Sequence, residues 1–249
     1  MKKNFYFLFF CFILCGSAKG QNWGLDNDYE SIQFTYTLQY VTSQFKVFPA
    51  ADWKEPIMEG NTQVSSPLSA MRSPVTSGFA IGLGATKHLR THTVLRLIPT
   101  LTFANRLLNY EYHDVLGTTP EGLPIYHKER KVNEYLLEFP LSMKLKSNRR
   151  GNFGVYMTGG AKYSTAILQG KRNNDTEKIA QEKMLKNSRN YFSYEAGLGL
   201  DLYFKFLTLS PEIKYSSSFN NIMKQENSVF SRPIDKLMLR NVTFSLYIQ

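Results

Sequence analysis

Residues 191–215, YFSYEAGLGLDLYFKFLTLSPEIKY, contain two consecutive segments in which apolar and polar residues alternate with a period of two. In the first segment the apolar residues stand at the even-numbered positions, which are Phe192, Tyr194, Ala196, Leu198, Leu200, Leu202 and Phe204. The odd-numbered positions are mostly polar or glycine, and they are Ser193, Glu195, Gly197, Gly199, Asp201, Tyr203 and Lys205. Successive side chains of a β-strand point to opposite faces, so this segment is predicted to be a strand with one apolar face.

The second segment repeats the alternation after a connection of two or three residues, with Leu207, Leu209, Pro211, Ile213 and Tyr215 opposite Thr208, Ser210, Glu212, Lys214 and Ser216. A soluble periplasmic β-sandwich would also alternate, because it buries one face and exposes the other. An apolar face of about 10 residues per strand with flanking aromatic residues matches the thickness of a bilayer, and charged residues suit a barrel interior. The hairpin therefore favours a membrane β-barrel, with the sandwich as the alternative.

The N-terminus has the features of a secretory signal peptide. Lys2 and Lys3 precede an apolar run over residues 5–15, and the small-residue motif AKG closes the segment at Gly20. We predict a signal peptide over residues 1–20 that is cleaved after Gly20.

The remaining residues 21–249 are predicted to form a single outer-membrane β-barrel domain. Lipidation of Cys15 is an alternative, but Leu14 stands where a lipoprotein signal needs a small residue. Because Cys11 and Cys15 both lie in the predicted signal peptide, we expect no disulfide and no cysteine-ligated metal in the mature chain. Export also argues against nucleic acid as a partner, although the formal net charge of the whole chain is +10.

Eight strands are predicted from the alternation and its interruptions. They cover residues 31–48, 78–87, 93–106, 132–146, 153–168, 191–205, 207–216 and 239–248. The long connections are residues 50–77, 109–131, 169–190 and 217–236, the third with a helical pattern around residues 177–185. Long and short connections alternate, which is typical of a barrel with its termini and short turns in the periplasm. The predicted fold class is all-β, an eight-stranded antiparallel up-and-down transmembrane β-barrel.

Charged residues recur on the inward parity of these strands. The set comprises Arg96, Glu134, Glu138, Lys144, Lys162, Glu195, Asp201, Glu212 and Lys214. Eight strands enclose a lumen that side chains just fill, and burying a single unpaired charge is costly. We therefore predict a structural network of ion pairs in a barrel that does not conduct ions. A catalytic pair of carboxylates is the alternative.

We predict no catalytic, cofactor or metal site. His88 and His92 fall in a short turn, and His113 and His127 fall in a long outer loop, so no histidine joins a serine and a carboxylate at a recognisable spacing. The metalloprotease, calcium-loop and nucleophile-elbow motifs are absent from the sequence. Because some small outer-membrane barrels are lipases or proteases, an enzyme is the alternative.

Two surface regions are candidate partner contacts. The turn over residues 146–150 carries Lys146, Arg149 and Arg150, which suit lipid phosphates or a partner protein, and a merely solvated turn is the alternative. The fourth long loop carries the apolar Met223 and Phe230, for which folding back onto the barrel rim is the alternative.

Several segments are similar to the small outer-membrane β-barrel proteins of the Bacteroidota. They are EYLLEFPLSMKLKS from Glu134, YEAGLGLDLYF from Tyr194 and LTLSPEIKYS from Leu207, which include the mid-strand prolines Pro140 and Pro211. Within that group, LRLIPTLTFANRLLNYEY from Leu95, with Pro99 and Arg106, resembles the PorT family.

Members of the PorT family act in type IX secretion and, in gliding bacteria, in motility. The resemblance implies a component required for export and surface attachment of cargo, in contact with outer-membrane lipids and other secretion proteins, and it supplies no catalytic residue. The chain departs from many outer-membrane barrels by ending in Tyr247, Ile248 and Gln249 instead of a terminal aromatic residue. A stand-alone barrel, acting as an adhesin, a structural protein or a small porin, is the alternative.

Overall fold

The computed structural model describes residues 32–59, 62–114, 117–118, 124–167, 188–223 and 230–249, all within the compact unit Ser31–Gln249. Side chains are described throughout these ranges except at residues 58–59, 62–64, 117–118, 124–125 and 131–134. The predicted signal peptide and the helical pattern around residues 177–185 lie outside the described residues. No helix in the described ranges is long and apolar enough to cross a membrane.

Eight strands follow one another along the chain, the third of them in two parts. They are β1 Ile32–Pro49, β2 Thr76–Arg90, β3a Thr93–Leu97 with β3b Thr100–Tyr112, β4 His127–Lys146, β5 Phe153–Ala166, β6 Asn190–Tyr203, β7 Thr208–Ser218 and β8 Ile234–Ile248. The long connections contain two short antiparallel strand pairs, Ile57–Glu59 with Thr62–Ser65 and Gly117–Thr118 with Pro124–Ile125.

β1 closes the barrel by pairing with both β2 and β8. Each of the other strands pairs antiparallel with its neighbours in chain order. The β1–β8 ladder stays in register from the pair Tyr36–Ile248 to the pair Phe48–Lys236. A closed ring leaves no unpaired strand edge within a membrane. The eight-stranded antiparallel barrel is confirmed, and the sandwich alternative is wrong.

The third strand is divided at Pro99 without a change of register. Leu97 pairs with Leu141 of β4, and Thr100 pairs with Glu138, so both strands advance equally across the break. Proline has no amide hydrogen to donate, which interrupts the ladder locally. β3a and β3b therefore serve as one barrel strand.

Through the middle of the barrel, apolar side chains lie outside and charged side chains lie inside. Phe34 is 63% exposed and Leu198 is 61% exposed, whereas Arg96 is 1% exposed and Lys144 is 2% exposed. A protein surrounded by water shows the opposite distribution. This distribution is the one expected of a barrel surrounded by lipid.

Each strand carries an outward aromatic residue at one boundary of this apolar surface. From β1 to β8 these are Tyr40, Phe79, Phe103, Tyr135, Tyr163, Phe192, Tyr215 and Phe244. The Phe79 and Phe103 rings stack with their centroids 4.7 Å apart, and Tyr135 meets Phe103 edge to face at 5.7 Å. Aromatic rings of this kind mark the membrane interface of barrels. We call this set the outer girdle.

Beyond the outer girdle the strands continue, and their two faces exchange polarity. On β3b the inward positions change from Thr102 to the fully buried Leu108 and Tyr110. The outward positions change from Phe103 to the exposed Asn105. The part of the barrel outside the membrane therefore packs like a water-soluble protein, with its apolar residues inside.

The buried apolar residues of this outer part form one cluster, which we call the outer core. It comprises Phe45, Leu68, Leu108, Tyr110, Tyr112, Leu136, Ala166, Tyr191, Ile222, Met223, Phe230, Ile234, Leu237 and Leu239. Strands β1, β3b, β4 and β8 and the fourth long loop all contribute to it. Outer-membrane barrels place their long connections outside the cell and their short turns in the periplasm. The outer core, at the end with the long connections, therefore fills the extracellular mouth of the barrel.

Several predicted loop boundaries are wrong because of the exchange of polarity. Residues 109–131 are not one long loop, since β3b runs to Tyr112 and β4 begins at His127. In the same way, β8 begins at Ile234 instead of residue 239. The first long connection also contains the strand Leu68–Arg72, which pairs with the outer end of β3b.

Gly160 of β5 provides a test of how closely β4 and β5 approach. A Cβ at Gly160 would overlap the Leu141 carbonyl oxygen and lie 2.7 Å from Ser142 Cα, whereas a Cβ at the outward-facing Gly159 would have its nearest contact at 3.9 Å. We expect Gly160→Ala to destabilise the barrel by about 1–3 kcal/mol and Gly159→Ala to stay within about 0.5 kcal/mol of the wild type. The measurement is the temperature at which each variant loses its folded mobility on a gel. Equal shifts in both variants would contradict this close approach.

Candidate functional site

Ion pairs occupy the lumen at the level of the membrane. They join Arg96 to Glu212 at 2.5 Å, Lys144 to Asp201 at 2.6 Å, Lys162 to Glu138 at 3.0 Å, and Lys214 to Glu195 and Glu212 at 3.8 Å each. We call these eight residues the lumen network, and each of them is at most 7% exposed. Eight of the nine inward charges singled out in the sequence are thus brought together. The ninth inward charge is Glu134, whose side chain is not among those that the structure describes.

Arg96 joins the largest cluster of the lumen network. Its guanidinium donates to Glu212 and to Thr158 Oγ1 at 3.3 Å, and it lies 4.4 Å from the centre of the Tyr247 ring. Lys214 Nζ donates to the Tyr247 hydroxyl at 2.8 Å, and that hydroxyl donates to Glu212 at 3.4 Å. Cations, ring and carboxylate therefore form one continuous cluster that links β3a to β7 and β8.

A second pair of the lumen network lies nearer the outer girdle. Glu138 faces Lys162 on the adjacent strand and accepts hydrogen bonds from Thr102 Oγ1 at 2.9 Å and Ser164 Oγ at 3.1 Å. Charged hydrogen bonds of this kind satisfy a buried carboxylate. Arg106 lies further out and reaches the Tyr191 hydroxyl at 3.4 Å.

A third pair lies nearer the short turns. Asp201 accepts hydrogen bonds from Lys144 Nζ and from Ser210 Oγ, both at 2.6 Å. The Lys144 ammonium also lies 3.9 Å from the centre of the Tyr156 ring. Lys144 is thereby surrounded by an anion and the face of an aromatic ring, which both attract a cation.

The contacts of the lumen network neutralise its buried charges. A general acid or base has to lie within hydrogen-bond reach of a substrate, and these carboxylates lie against cations in a space closed to solvent. Among the described residues, no group of three or more His, Cys, Asp or Glu side chains is arranged to hold a metal ion. Residues held in this way fill and cross-link the barrel.

Phe230, in the described part of the fourth long loop that leads into β8, lies inside the extracellular mouth. The Tyr110 hydroxyl donates to the Phe230 carbonyl oxygen at 2.7 Å, and the two rings meet edge to face at 5.4 Å. The Arg130 guanidinium lies 4.0 Å from the centre of the Phe230 ring, and the Lys128 ammonium lies 5.2 Å from it. Sequence reasoning missed these contacts because Tyr110, Lys128 and Arg130 fell in a predicted loop.

The position of the fourth long loop corrects one prediction. Met223 and Phe230 are predicted above as partner contacts, but both side chains are buried in the outer core beside Ile222. A side chain packed in this way offers no surface to a partner. The alternative, in which the loop folds back onto the rim, describes their position.

The three short turns create a basic surface at the periplasmic end, which we call the periplasmic rim. Its cations are Lys87, Arg90, Lys146, Arg149, Arg150 and Lys205. Within these described turns, no aspartate or glutamate is exposed. Arg149 lies 4.2 Å from the centre of the Tyr203 ring and donates to the carbonyl oxygen of Gly151, whose φ of 61° suits glycine. The predicted turn residues therefore belong to a larger surface of one charge.

Comparison with known proteins agrees with this architecture. A family model described as outer membrane protein beta-barrel domain matches residues 26–224. No curated protein matches the chain.

Three solved structures illustrate the structural similarity. Neisserial surface protein A is 9% identical, with 88% of this chain and 99% of that chain covered and a TM-score of 0.39. OprG from Pseudomonas aeruginosa is 12% identical, with 86% and 94% covered and a TM-score of 0.45. Ail, the attachment invasion locus protein of Yersinia pestis, is 11% identical, with 87% and 97% covered and a TM-score of 0.36.

Asp201 provides a test of the lumen network. Asp201→Ala leaves the buried Lys144 ammonium without an anion, so we expect the free energy of unfolding to fall by about 3–5 kcal/mol. Urea titration of the barrel in lipid vesicles measures this loss. The combined variant Lys144→Met with Asp201→Leu removes both charges and should recover most of the stability. An Asp201→Ala barrel as stable as the wild type would show that this ion pair contributes nothing.

Proposed function

The chain belongs to the outer membrane protein beta-barrel domain family, and from this premise we propose that it is a non-conducting, non-catalytic barrel that serves protein export by contact. Its place is the outer membrane, and its outward apolar face contacts the lipids there. The proposed role is that of a PorT-like component of type IX secretion, required for export and surface attachment of cargo proteins. The observation that carries the proposal is the closed interior of the barrel.

Two different kinds of packing close the interior. At the level of the membrane, the lumen network fills the space between strands with paired charges. Beyond the outer girdle, the outer core excludes water with apolar side chains. An eight-stranded barrel has little interior space left once its own side chains are placed. Cargo therefore has no path through the barrel, and a role in export has to use its outer surfaces.

The sequence supports the secretion role through the segment that resembles the PorT family. This segment, from Leu95 onward, builds β3a and β3b, with Pro99 at the break between them. Its Arg106 is buried next to the Tyr191 hydroxyl. The likeness thus rests on a complete barrel strand, including an inward charge, and not on a loop.

The periplasmic rim is the surface that fits a partner of the secretion machinery. The three described turns contain these six cations and no aspartate or glutamate, so a partner with an acidic surface is attracted and a basic one is repelled. The exposed Leu89, Phe204 and Phe206 lie among these cations and add apolar contact area. This surface extends the predicted contact at Lys146, Arg149 and Arg150.

A conductance measurement tests the closed interior. We expect the purified protein in planar bilayers to show no stable conductance, because the lumen network and the outer core leave no continuous water path. Single-channel recording at high salt provides the measurement. Stable, ion-selective steps would refute the closed barrel and favour the small porin.

Deletion of the gene tests the secretion role. We expect type IX cargo proteins to accumulate unprocessed in the periplasm of the deletion strain, because a required component is missing. Cell fractionation and immunoblotting of a cargo protein provide the measurement. Normal delivery of cargo to the cell surface would overturn the proposal and leave the stand-alone barrel.

Complementation of the same strain tests the contact surface. The combined variant Arg149→Glu with Arg150→Glu should fail to restore export, because it reverses two charges of the periplasmic rim. The matched control is Lys54→Glu with Arg232→Glu, which reverses two exposed charges at the extracellular end and should restore export. Folded mobility on gels verifies both variants. If both restore export, the turn is merely solvated.

A further inference from the structure

The outward faces of β1 and β8 carry a compact group of cations beyond the outer girdle. The two strands pair Gln44 with Arg240, Lys46 with Met238 and Phe48 with Lys236. The Phe48 ring lies between two ammonium groups, with Lys46 Nζ at 4.4 Å and Lys236 Nζ at 6.0 Å from its centre. We call Lys46, Lys236, Arg240 and Phe48 the β1–β8 patch.

The β1–β8 patch lies directly above the lipid-facing surface of the same two strands. The pair Tyr40–Phe244 marks the outer girdle there, and Arg240 is four residues further along β8. With about 3.3 Å per residue and a strand tilt of about 40°, Arg240 stands about 10 Å above the girdle. By the same measure, Lys46 and Lys236 stand about 15–20 Å above it. The patch therefore begins at the level of lipid headgroups and extends outward.

The carboxylates of the described residues do not neutralise the charge of the β1–β8 patch. In the part of the chain that the structure describes, none of its three cations forms an ion pair with a carboxylate. At comparable heights on β3b, the outward residues Asn105, Leu107, Asn109 and Glu111 are instead neutral or acidic. The outward face of β1 and β8 therefore attracts anions more strongly than the outward face of β3b does.

We propose that the β1–β8 patch binds the phosphate groups of a phosphorylated glycolipid in the outer leaflet. Arginine and lysine are the side chains that recognise phosphate, arginine through two parallel hydrogen bonds. A lipid whose acyl chains pack on Phe244 and Tyr40 presents its headgroup to the patch without leaving the bilayer. A simple phospholipid headgroup ends near Arg240, whereas a phosphorylated sugar headgroup also reaches Lys46 and Lys236.

A binding experiment on the purified full barrel tests this proposal. The probes, each in nonionic detergent, are diphosphorylated lipid A, its dephosphorylated form and phosphatidylethanolamine, and native mass spectrometry counts the bound lipid. We expect the diphosphorylated lipid to bind most tightly. Combining Lys46→Gln, Lys236→Gln and Arg240→Gln should weaken its binding on the order of a hundredfold at low salt, since each surface cation contributes about fivefold.

The matched control replaces Lys54, Arg72 and Arg232 by glutamine, which removes three exposed extracellular cations outside the patch. We expect this control to bind within about twofold of the wild type, since its charge change is the same but its location differs. Folded mobility on gels verifies each variant. The single variant Arg240→Gln, with an expected loss of about fivefold, serves if the triple variant does not fold.

Competition with inorganic pyrophosphate separates a lipid site from a site for free phosphate. We expect pyrophosphate to displace the diphosphorylated lipid only at far higher concentration, because it lacks the acyl chains that pack on the barrel. Equal binding of the dephosphorylated lipid, undiminished binding by the triple variant, or equal losses in the control would each overturn the proposal. Pyrophosphate binding as tight as that of the lipid would also overturn it.

Discussion

The pairing of β1 with β8 is the interaction on which the rest of the structure depends. No water is present in the core of a bilayer to satisfy amide and carbonyl groups, so a sheet crosses it only as a closed ring. Closure divides every strand into one face toward lipid and one face toward the lumen. The exposed Phe34 and the buried Arg96 are opposite consequences of the same ring. The charges inside and the aromatic outer girdle both follow from it.

How far the sequence predicts this fold depends on which side of the outer girdle is considered. Within the membrane, alternation identifies the strands and assigns their faces, because lipid and lumen differ sharply in polarity. Beyond the girdle, water replaces lipid outside the barrel and the outer core replaces the charges inside it. The apolar residues therefore move from the outward positions of each strand to the inward positions. On β3b this shift occurs between Phe103 and Leu108. A prediction that requires apolar residues at every second position throughout a strand therefore ends the strand too early. It assigns the outer parts of β3b, β4 and β8 to loops.

The lumen network also shows how far prediction from the sequence reaches. Parity is enough to predict that Lys162 and Glu138 point inward, and their adjacent strands place them together. The pairing of Arg96 with Glu212 joins strands on different sides of the lumen and depends on the stagger of the whole barrel. That stagger is a collective property of eight ladders, which no local pattern encodes. The sequence therefore predicts the members of the network but not their partners.

Acidic and basic side chains are distributed differently between the inside and the outside of the barrel. Near the membrane, the carboxylates Glu138, Glu195, Asp201 and Glu212 are kept inside, each beside a cation. Other cations are placed outside, on the periplasmic rim and on the β1–β8 patch. Acidic side chains at those levels would repel lipid phosphates, whereas cations are attracted to them. Because paired charges and the outer core close the interior, we propose that recognition uses these two basic surfaces. The two surfaces face opposite sides of the membrane. The proposed glycolipid contact at the β1–β8 patch would therefore hold the periplasmic rim at a constant height for the proposed contact with other proteins.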